Sequence, residues 1–413
     1  MTENRKRLLE SVFSLTALNA LNLLLPLITI PYLLDTVGAA NYGIYSIVYT
    51  VVQYVLLVGK YGFHYTSTKQ ISQNRDDVLM VSKIFHSTML ARFILTMIAS
   101  IICLGFIWFV YPKYILLYLL GLGIAFGDVL NPVWLFQGME KMRYMTIVNS
   151  ITKILFTVLI FSCISQESDY VYIILFNSAG FIVSGIISFL IAVFIFHIKA
   201  QKVSFNDVVV QIKDSSTVFF SSAFVNVFNN SYVLILGLFL NESLIGVYSA
   251  VDKVIKAAKI LVDPISNALF PHVAKNFMGK PMKDNVNTIF KYSKTIGLLL
   301  AAIAVVLVFS SPIVCEKFLH SIKDESMMLI WWMSPLIVIG GLNYVFGIVG
   351  LINLGYQKVW LRNLILSSVL GVGVLVATVG KFGLTAAPVS SIITEGMLML
   401  ITVMSLLKIK KQI

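Results

Sequence analysis

Charge is scarce in this 413-residue chain: Asp, Glu, Lys and Arg make up 12% of it, while 58% is hydrophobic. A soluble domain carries about 25% charged residues. Mean hydropathy is +0.89. Such a composition cannot cover a surface in water, which excludes a soluble enzyme, a nucleic-acid-binding protein and a disordered chain. Cysteine is nearly absent. Cys103, Cys163 and Cys315 have no metal-ligand spacing, and two of them fall inside apolar runs, so they read as small hydrophobes without a disulfide framework. There is no G-x-x-x-x-G-K-[ST] stretch and hence no ATP site in this chain, and neither H-E-x-x-H nor paired Cys-x-x-Cys suggests a metal. No cofactor and no catalytic residue is expected. Histidine is limited to five residues, and His64 and His86 sit at the edges of apolar runs, where no part in a proton relay is expected.

What the chain has is long apolar runs. They lie near 12–34, 42–61, 84–110, 114–136, 144–164, 170–196, 216–240, 244–270, 289–312, 327–353, 361–380 and 383–407. Each suffices for a helix crossing the bilayer, at roughly 20 residues per crossing. The runs are too continuous for barrel strands, which alternate over about ten residues. The first run has no small-residue cleavage site and reads as a span, not a signal peptide.

The net charge of +12 is explained by loop position. With the N-terminus inside, 22 Lys and Arg fall in inside segments; only Lys113, Lys317, Lys323 and Lys381 fall outside. This bias sets both termini in the cytoplasm. Interface aromatics agree: Trp108, Tyr111, Tyr114, Trp331 and Trp332 outside, Trp134 and Trp360 inside. The outside connections are bare turns, such as 35–41 and 165–169. That weighs against a membrane polymerase or glycosyltransferase, which needs extramembrane loops to hold its chemistry. Ser204 to Lys213 reads either as a short amphipathic linker on the membrane surface or as a solvated loop.

Two short matches recur. Gly43-Ile44-Tyr45-Ser46 pairs with Gly246-Val247-Tyr248-Ser249, and Gly138-Met139-Glu140-Lys141 with Gly355-Tyr356-Gln357-Lys358. They fall at corresponding places in a six-plus-six division, which implies a parallel repeat about an axis along the membrane normal. The expected architecture is therefore an all-α integral membrane protein of about 12 transmembrane helices. It comprises an N-terminal six-helix bundle (1–200), a cytoplasmic linker (201–215) and a C-terminal six-helix bundle (216–413), with a cleft between the bundles.

Ionisable residues inside spans each cost roughly 2.5–3.5 kcal/mol and normally face a cavity or a partner. Five cations qualify: Arg92, Lys153, Lys253, Lys256 and Lys259. In the eighth run, Asp252, Lys256, Lys259 and Asp263 fall within a stripe of roughly 60° at helical spacing. Asp252–Lys256 and Lys259–Asp263 are i,i+4 pairs. The stripe either lines a hydrated cavity or packs internally with satisfied ion pairs. Pro264 lacks a backbone donor and would kink the helix. Arg92 suits a pyrophosphate, or else snorkels to the interface; Lys153 has the same two readings. Asp128 and Glu395 could carry a coupling proton or sodium ion, or simply pair with a cation.

Several stretches resemble Wzx-type polysaccharide repeat-unit flippases. They are LLLPLITIPYLLDTVGAANYGIYS, YGFHYTSTKQIS, PVWLFQGMEKMRYMTIVNSITKI and LIGVYSAVDKVIKAAKILVDPISNALFP, and Trp134 to Lys141 is the most specific part. The resemblance implies membership of the superfamily that also contains multidrug exporters and the peptidoglycan-precursor flippase. It implies a multi-pass protein of the bacterial inner membrane. That protein would move an undecaprenyl-pyrophosphate-linked oligosaccharide from the cytoplasmic to the periplasmic leaflet, for O-antigen or capsular polysaccharide. A cationic cavity is also implied, which Arg92, Lys153, Lys253, Lys256 and Lys259 would supply, with Asp128, Asp252, Asp263 and Glu395 as lining or ion-coupling candidates. Expected partners are the lipid-linked glycan, membrane lipids, the polysaccharide polymerase and chain-length regulator, and a coupling proton or sodium ion, with no nucleic acid. The rival readings are a small-molecule antiporter on the same architecture and, from another class, a membrane glycan polymerase.

Overall fold

The computed structural model describes residues 3–260, 273, 277, 281–319 and 322–411. Among these residues the chain is helices joined by short turns, with no strand. It forms two compact units, Met1–Val227 and Phe228–Ile413.

The first unit contains α1 (Glu3–Lys60), α2 (Phe63–Gln73), α3 (Val78–Val110), α4 (Ile115–Leu130), α5 (Val133–Gly138), α6 (Met142–Cys163), α7 (Tyr170–Phe194) and the first part of α8 (Phe205–Phe239). Helix α1 takes in both of the first two apolar runs. The turn expected at 35–41 shrinks to a break at Gly38 (φ 80°, ψ 161°), a conformation glycine adopts without strain. The expected inside loop 62–83 contains α2. The expected span 114–136 is also divided. Pro132 disfavours helical backbone at the residue before it, so Asn131 is extended (φ −92°, ψ 101°) and α4 stops at Leu130.

Without water between the helices, apolar surface gives no drive to associate, so small and polar residues must mediate packing. Helix α3 follows this rule. It buries Thr88, Arg92, Thr96 and Ser100, each four residues apart, and exposes Phe93, Met97, Ile98, Ile101 and Ile102. Helices α4 and α7 cross closely at Gly121, Gly123, Gly127 and Gly185. A Cβ on Gly127 would collide with the Phe181–Ile182 peptide. Ser178 Oγ donates to the Leu120 carbonyl at 2.6 Å.

The segment 205–213 is helical and continuous with the rest of α8. Ser204 N donates to Asp207 Oδ2 at 3.0 Å and Asp207 N to Ser204 Oγ at 3.2 Å, a reciprocal N-terminal cap. Lys83 Nζ lies 2.9 Å from Asp207 Oδ1. Gln211 Nε2 donates to Gln70 Oε1 at 2.8 Å, and Tyr61 stacks on Phe219 with ring centroids 4.2 Å apart. The start of α8 is thus fastened to α2 and α3.

The second unit contains the remainder of α8, then α9 (Glu242–Ile260), α10 (Met282–Phe318), α11 (Lys323–Met333), α12 (Pro335–Tyr344), a π-helical stretch (Val345–Ile352), α13 (Gln357–Phe382) and α14 (Ala386–Lys411). Val286, Ile289, Phe346, Leu351, Leu406 and Ile409 form a core cluster. Gly371 lets α13 approach α14, where Ser390 Oγ donates to the Gly371 carbonyl at 2.6 Å. The last part of the expected run 244–270, including Asp263 and Pro264, lies outside the described residues.

Among the described residues, 8 segments are long and apolar enough to cross a membrane. Two of them, Leu24–Gln73 and Gln357–Lys411, have 50 and 55 residues, enough for two crossings each. The chain is a multi-pass membrane protein.

Candidate functional site

Each unit carries a cluster of ionisable groups within its apolar helices. In the first unit, α4 ends at Asn131–Pro132 and α1 at Lys60, leaving carbonyls without intrahelical donors. Arg92, projecting from α3 and only 3% exposed, meets them. Its Nε donates to the Gly59 carbonyl at 3.2 Å, and its Nη1 donates to the Val129 and Asn131 carbonyls at 3.3 and 3.2 Å. Nη2 completes the set with Asp128 Oδ2 at 2.5 Å. A cation at helix C-termini is also favoured by the helix dipole. The guanidinium sits 4.9 Å above the Trp134 ring. Every nitrogen of the guanidinium therefore has a protein acceptor. Trp134, expected at the interface, is buried beneath it.

The other oxygen of Asp128 lies 3.5 Å from Lys60 Nζ. Lys153 on α6 is half-buried, and its ammonium repels that of Lys60. Nearby, Asn131 Nδ2 donates to Asn149 Oδ1 at 3.3 Å, and Ser184 Oγ donates to the same oxygen. Among the described residues, Arg92 and Lys60 both pair with the Asp128 carboxylate.

In the second unit, α9 buries Val247, Tyr248, Val251 and Ile255, and Asp252, Lys256 and Lys259 form a stripe beside them. Lys256 Nζ pairs with Asp252 Oδ2 at 2.6 Å, and the Lys256 side chain is 51% exposed. Lys253 is half-buried at the edge of the stripe. One turn on, Lys259 Nζ lies 3.7 Å from Glu395 Oε1 on α14. Asn343 on α12 fixes that carboxylate, its Nδ2 donating to Glu395 Oε2 at 2.7 Å and to the Glu395 carbonyl at 2.9 Å. Gly340 provides the space: a Cβ there would lie 2.8 Å from Lys259 Nζ.

The structure thus brings Arg92 together with Asp128, Lys256 with Asp252, and Lys259 with Glu395. Asp263, expected to pair with Lys259, lies outside the described residues. Three contributors do not stand out in the sequence. Lys60 ends an apolar run and reads as a loop residue. Gly340 and Asn343 are signalled only by a Gly-Gly pair and a lone amide within an otherwise apolar run.

Comparison with known proteins places this geometry. The family model described as polysaccharide biosynthesis protein matches residues 8–277. Two curated relatives carry the name "Putative O-antigen transporter". That of Escherichia coli (strain K12) is 26% identical, covering 96% of this chain and 95% of its own length. That of Shigella dysenteriae is 24% identical, covering 95% and 98%. Among solved structures, an inward-facing multidrug resistance MATE family transporter of the MOP superfamily matches with TM-score 0.70 at 12% identity, covering 94% of this chain and 97% of that one. The lipid II flippase MurJ, in an inward closed conformation, matches with TM-score 0.71 at 13% identity, covering 97% and 90%. The fold is shared with both, and the chain belongs to the polysaccharide biosynthesis protein family.

Proposed function

We propose that this chain is a flippase of the bacterial inner membrane. Its cargo is an undecaprenyl-pyrophosphate-linked oligosaccharide repeat unit, carried from the cytoplasmic to the periplasmic leaflet for O-antigen or capsular polysaccharide. The observation that carries this reading is the set of lysines held by single carboxylates within apolar helices, in a chain similar along its length to O-antigen transporters. The polyprenyl tail can stay in lipid. The diphosphate and sugars cannot, and they need charge and hydration along their path. Lys153, Lys253, Lys256 and Lys259, joined by Lys60, receive the diphosphate or acidic sugars. Arg92, each of whose nitrogens has a protein acceptor, holds the ends of α1 and α4 around Asp128.

The working cycle is alternating access in a protein of about twelve spans with both termini inside and a parallel repeat of two six-helix bundles, 1–200 and 216–413. One of the two matches supports the repeat, since Tyr45 and Tyr248, and Ser46 and Ser249, are all buried; the other does not, since Gly138 is buried and Gly355 exposed. A proton or sodium ion is the coupling species, and the glycan polymerase and chain-length regulator are the protein partners. The fold likeness to the MATE transporter favours a second reading, a small-molecule antiporter. Lys60 and Lys256, each with about half of its side chain exposed beside its carboxylate, argue against the organic cations such a protein would export.

The test is deletion followed by mass spectrometry of lipid-linked glycans and a membrane-impermeant probe of their leaflet. Accumulation of complete repeat units on the inner leaflet is the expected result. Unchanged glycan export rejects the reading.

A further inference from the structure

Two helices of the second unit converge on Glu395: α9 through Lys259, and α12 through Asn343 and the Gly340 notch that admits the Lys259 ammonium. Among the described residues, Lys259 is the charged group paired with this carboxylate. The charged residues on the other helices packed against α14, including Lys291 and Lys294 on α10, Asp324 and Glu325 on α11, and Lys358 and Arg362 on α13, form no ion pair with it. On α14 itself, the neighbouring Thr394 hydroxyl bonds Tyr232 at 3.2 Å.

We infer that Glu395 is a proton-binding site linked to Lys259: an anionic headgroup that takes Lys259 leaves Glu395 to bind a proton. The inference rests on the flippase reading and identifies the group that replaces Lys259 when cargo is bound. Three observations support it. First, Lys259 lies 3.7 Å from Glu395, a longer separation than the 2.6 Å of Lys256–Asp252, so Lys259 is the more readily withdrawn of the two. Second, a carboxylate stripped of its cation in an apolar bundle is costly and is relieved by a proton from solvent. Third, the site already accommodates either form. Asn343 is 3% exposed, and its Oδ1 has no hydrogen-bond partner while its Nδ2 serves the carboxylate. The amide holds Oε2 and the Glu395 carbonyl through Nδ2 whether the acid is charged or neutral, so the proton goes on Oε1, the oxygen that Lys259 leaves. The balance is simple: the carboxylate gains one proton, and the ammonium keeps its own while exchanging one anion for another.

The test is calorimetric titration of the purified full-length protein with farnesyl diphosphate, a soluble polyprenyl diphosphate, in buffers of different ionisation enthalpy and at several pH values. Wild type is expected to take up close to one more proton per ligand than Glu395→Gln. As pH falls, wild-type affinity should rise more steeply than that of Glu395→Gln, the difference reaching up to about tenfold per pH unit. Titration of the diphosphate itself is common to both proteins and cancels in the difference. Lys259→Met, which removes the exchanging cation, should bind more weakly and also show no extra proton. Equal proton uptake by wild type and both substituted proteins overturns the inference while leaving the flippase reading in place. Failure of the wild type to bind farnesyl diphosphate contradicts that reading itself, and the inference falls with it.

Discussion

Arg92 and Asp128 form a buried ion pair that ties the middle of α3 to the end of α4, with Nη2 and Oδ2 2.5 Å apart. The pair serves packing as well as charge, because the same guanidinium closes the last turns of α1 and α4.

Removing Asp128 leaves Arg92 without its carboxylate, and among the described residues removing Arg92 leaves Asp128 with only the more distant Lys60. Arg92→Met and Asp128→Leu are each expected to cost about 3–5 kcal/mol, the usual penalty for an uncompensated buried charge. The double variant should lose clearly less than the sum of the two. Denaturant unfolding of the purified protein in detergent measures all three. Additive losses would contradict a coupled pair.

Gly127 and Gly340 are both tight positions and should respond differently. A Cβ on Gly127 meets the backbone of Phe181 and Ile182, which cannot yield. Gly127→Ala is expected to destabilise by roughly 1–3 kcal/mol through overpacking. A Cβ on Gly340 meets the far end of the flexible Lys259 side chain. Gly340→Ala should stay within about 1 kcal/mol of wild type, since flexible side chains relieve strain cheaply. It should nevertheless displace the Lys259 ammonium from Glu395, so that farnesyl diphosphate still binds but without the extra proton. Melting curves paired with farnesyl diphosphate titrations separate the two effects.

The cap of α8 is acid-sensitive. The hydrogen bond from Lys83, and then those from Ser204, hold the Asp207 carboxyl down at about 2, against an ordinary 3.8. A lowered carboxyl contributes its contacts in full above the unfolded value and loses them as pH falls through the folded one. The first turn of α8 is therefore expected to keep its protection down to about pH 4 and to open as the pH approaches 2. Hydrogen exchange of amides 205–210 reads this directly. Asp207→Asn should show the weaker protection at every pH.

The helices are legible in the sequence because solvent dictates them: any backbone crossing hydrocarbon must satisfy itself, and long apolar runs follow. The charged stripe of α9 is equally legible, since Asp252, Lys256 and Lys259 fall at helical spacing and no lipid would accept them. Three-dimensional partners are not. Arg92 reads as a free cation because Gly59, Val129 and Asn131 accept through backbone carbonyls, which carry no residue-type signal. The Lys259–Glu395 pair joins residues 136 positions apart, whereas the i,i+4 partner Asp263 is the one spacing can suggest. The opening of α8 reads as a linker because its polar face suits solvent as well as it suits Gln70 and Lys83.

The central claim is that lysines within the membrane carry an anionic lipid-linked headgroup across it. Its most direct measurement is translocation of a fluorescent polyprenyl-diphosphate oligosaccharide by the purified protein in proteoliposomes, comparing wild type with the Lys256→Ala/Lys259→Ala variant. The account expects wild type to move the lipid between leaflets. The double variant, inserted and folded as well as wild type, should be slower by at least tenfold. Equal rates in the two proteins would contradict it.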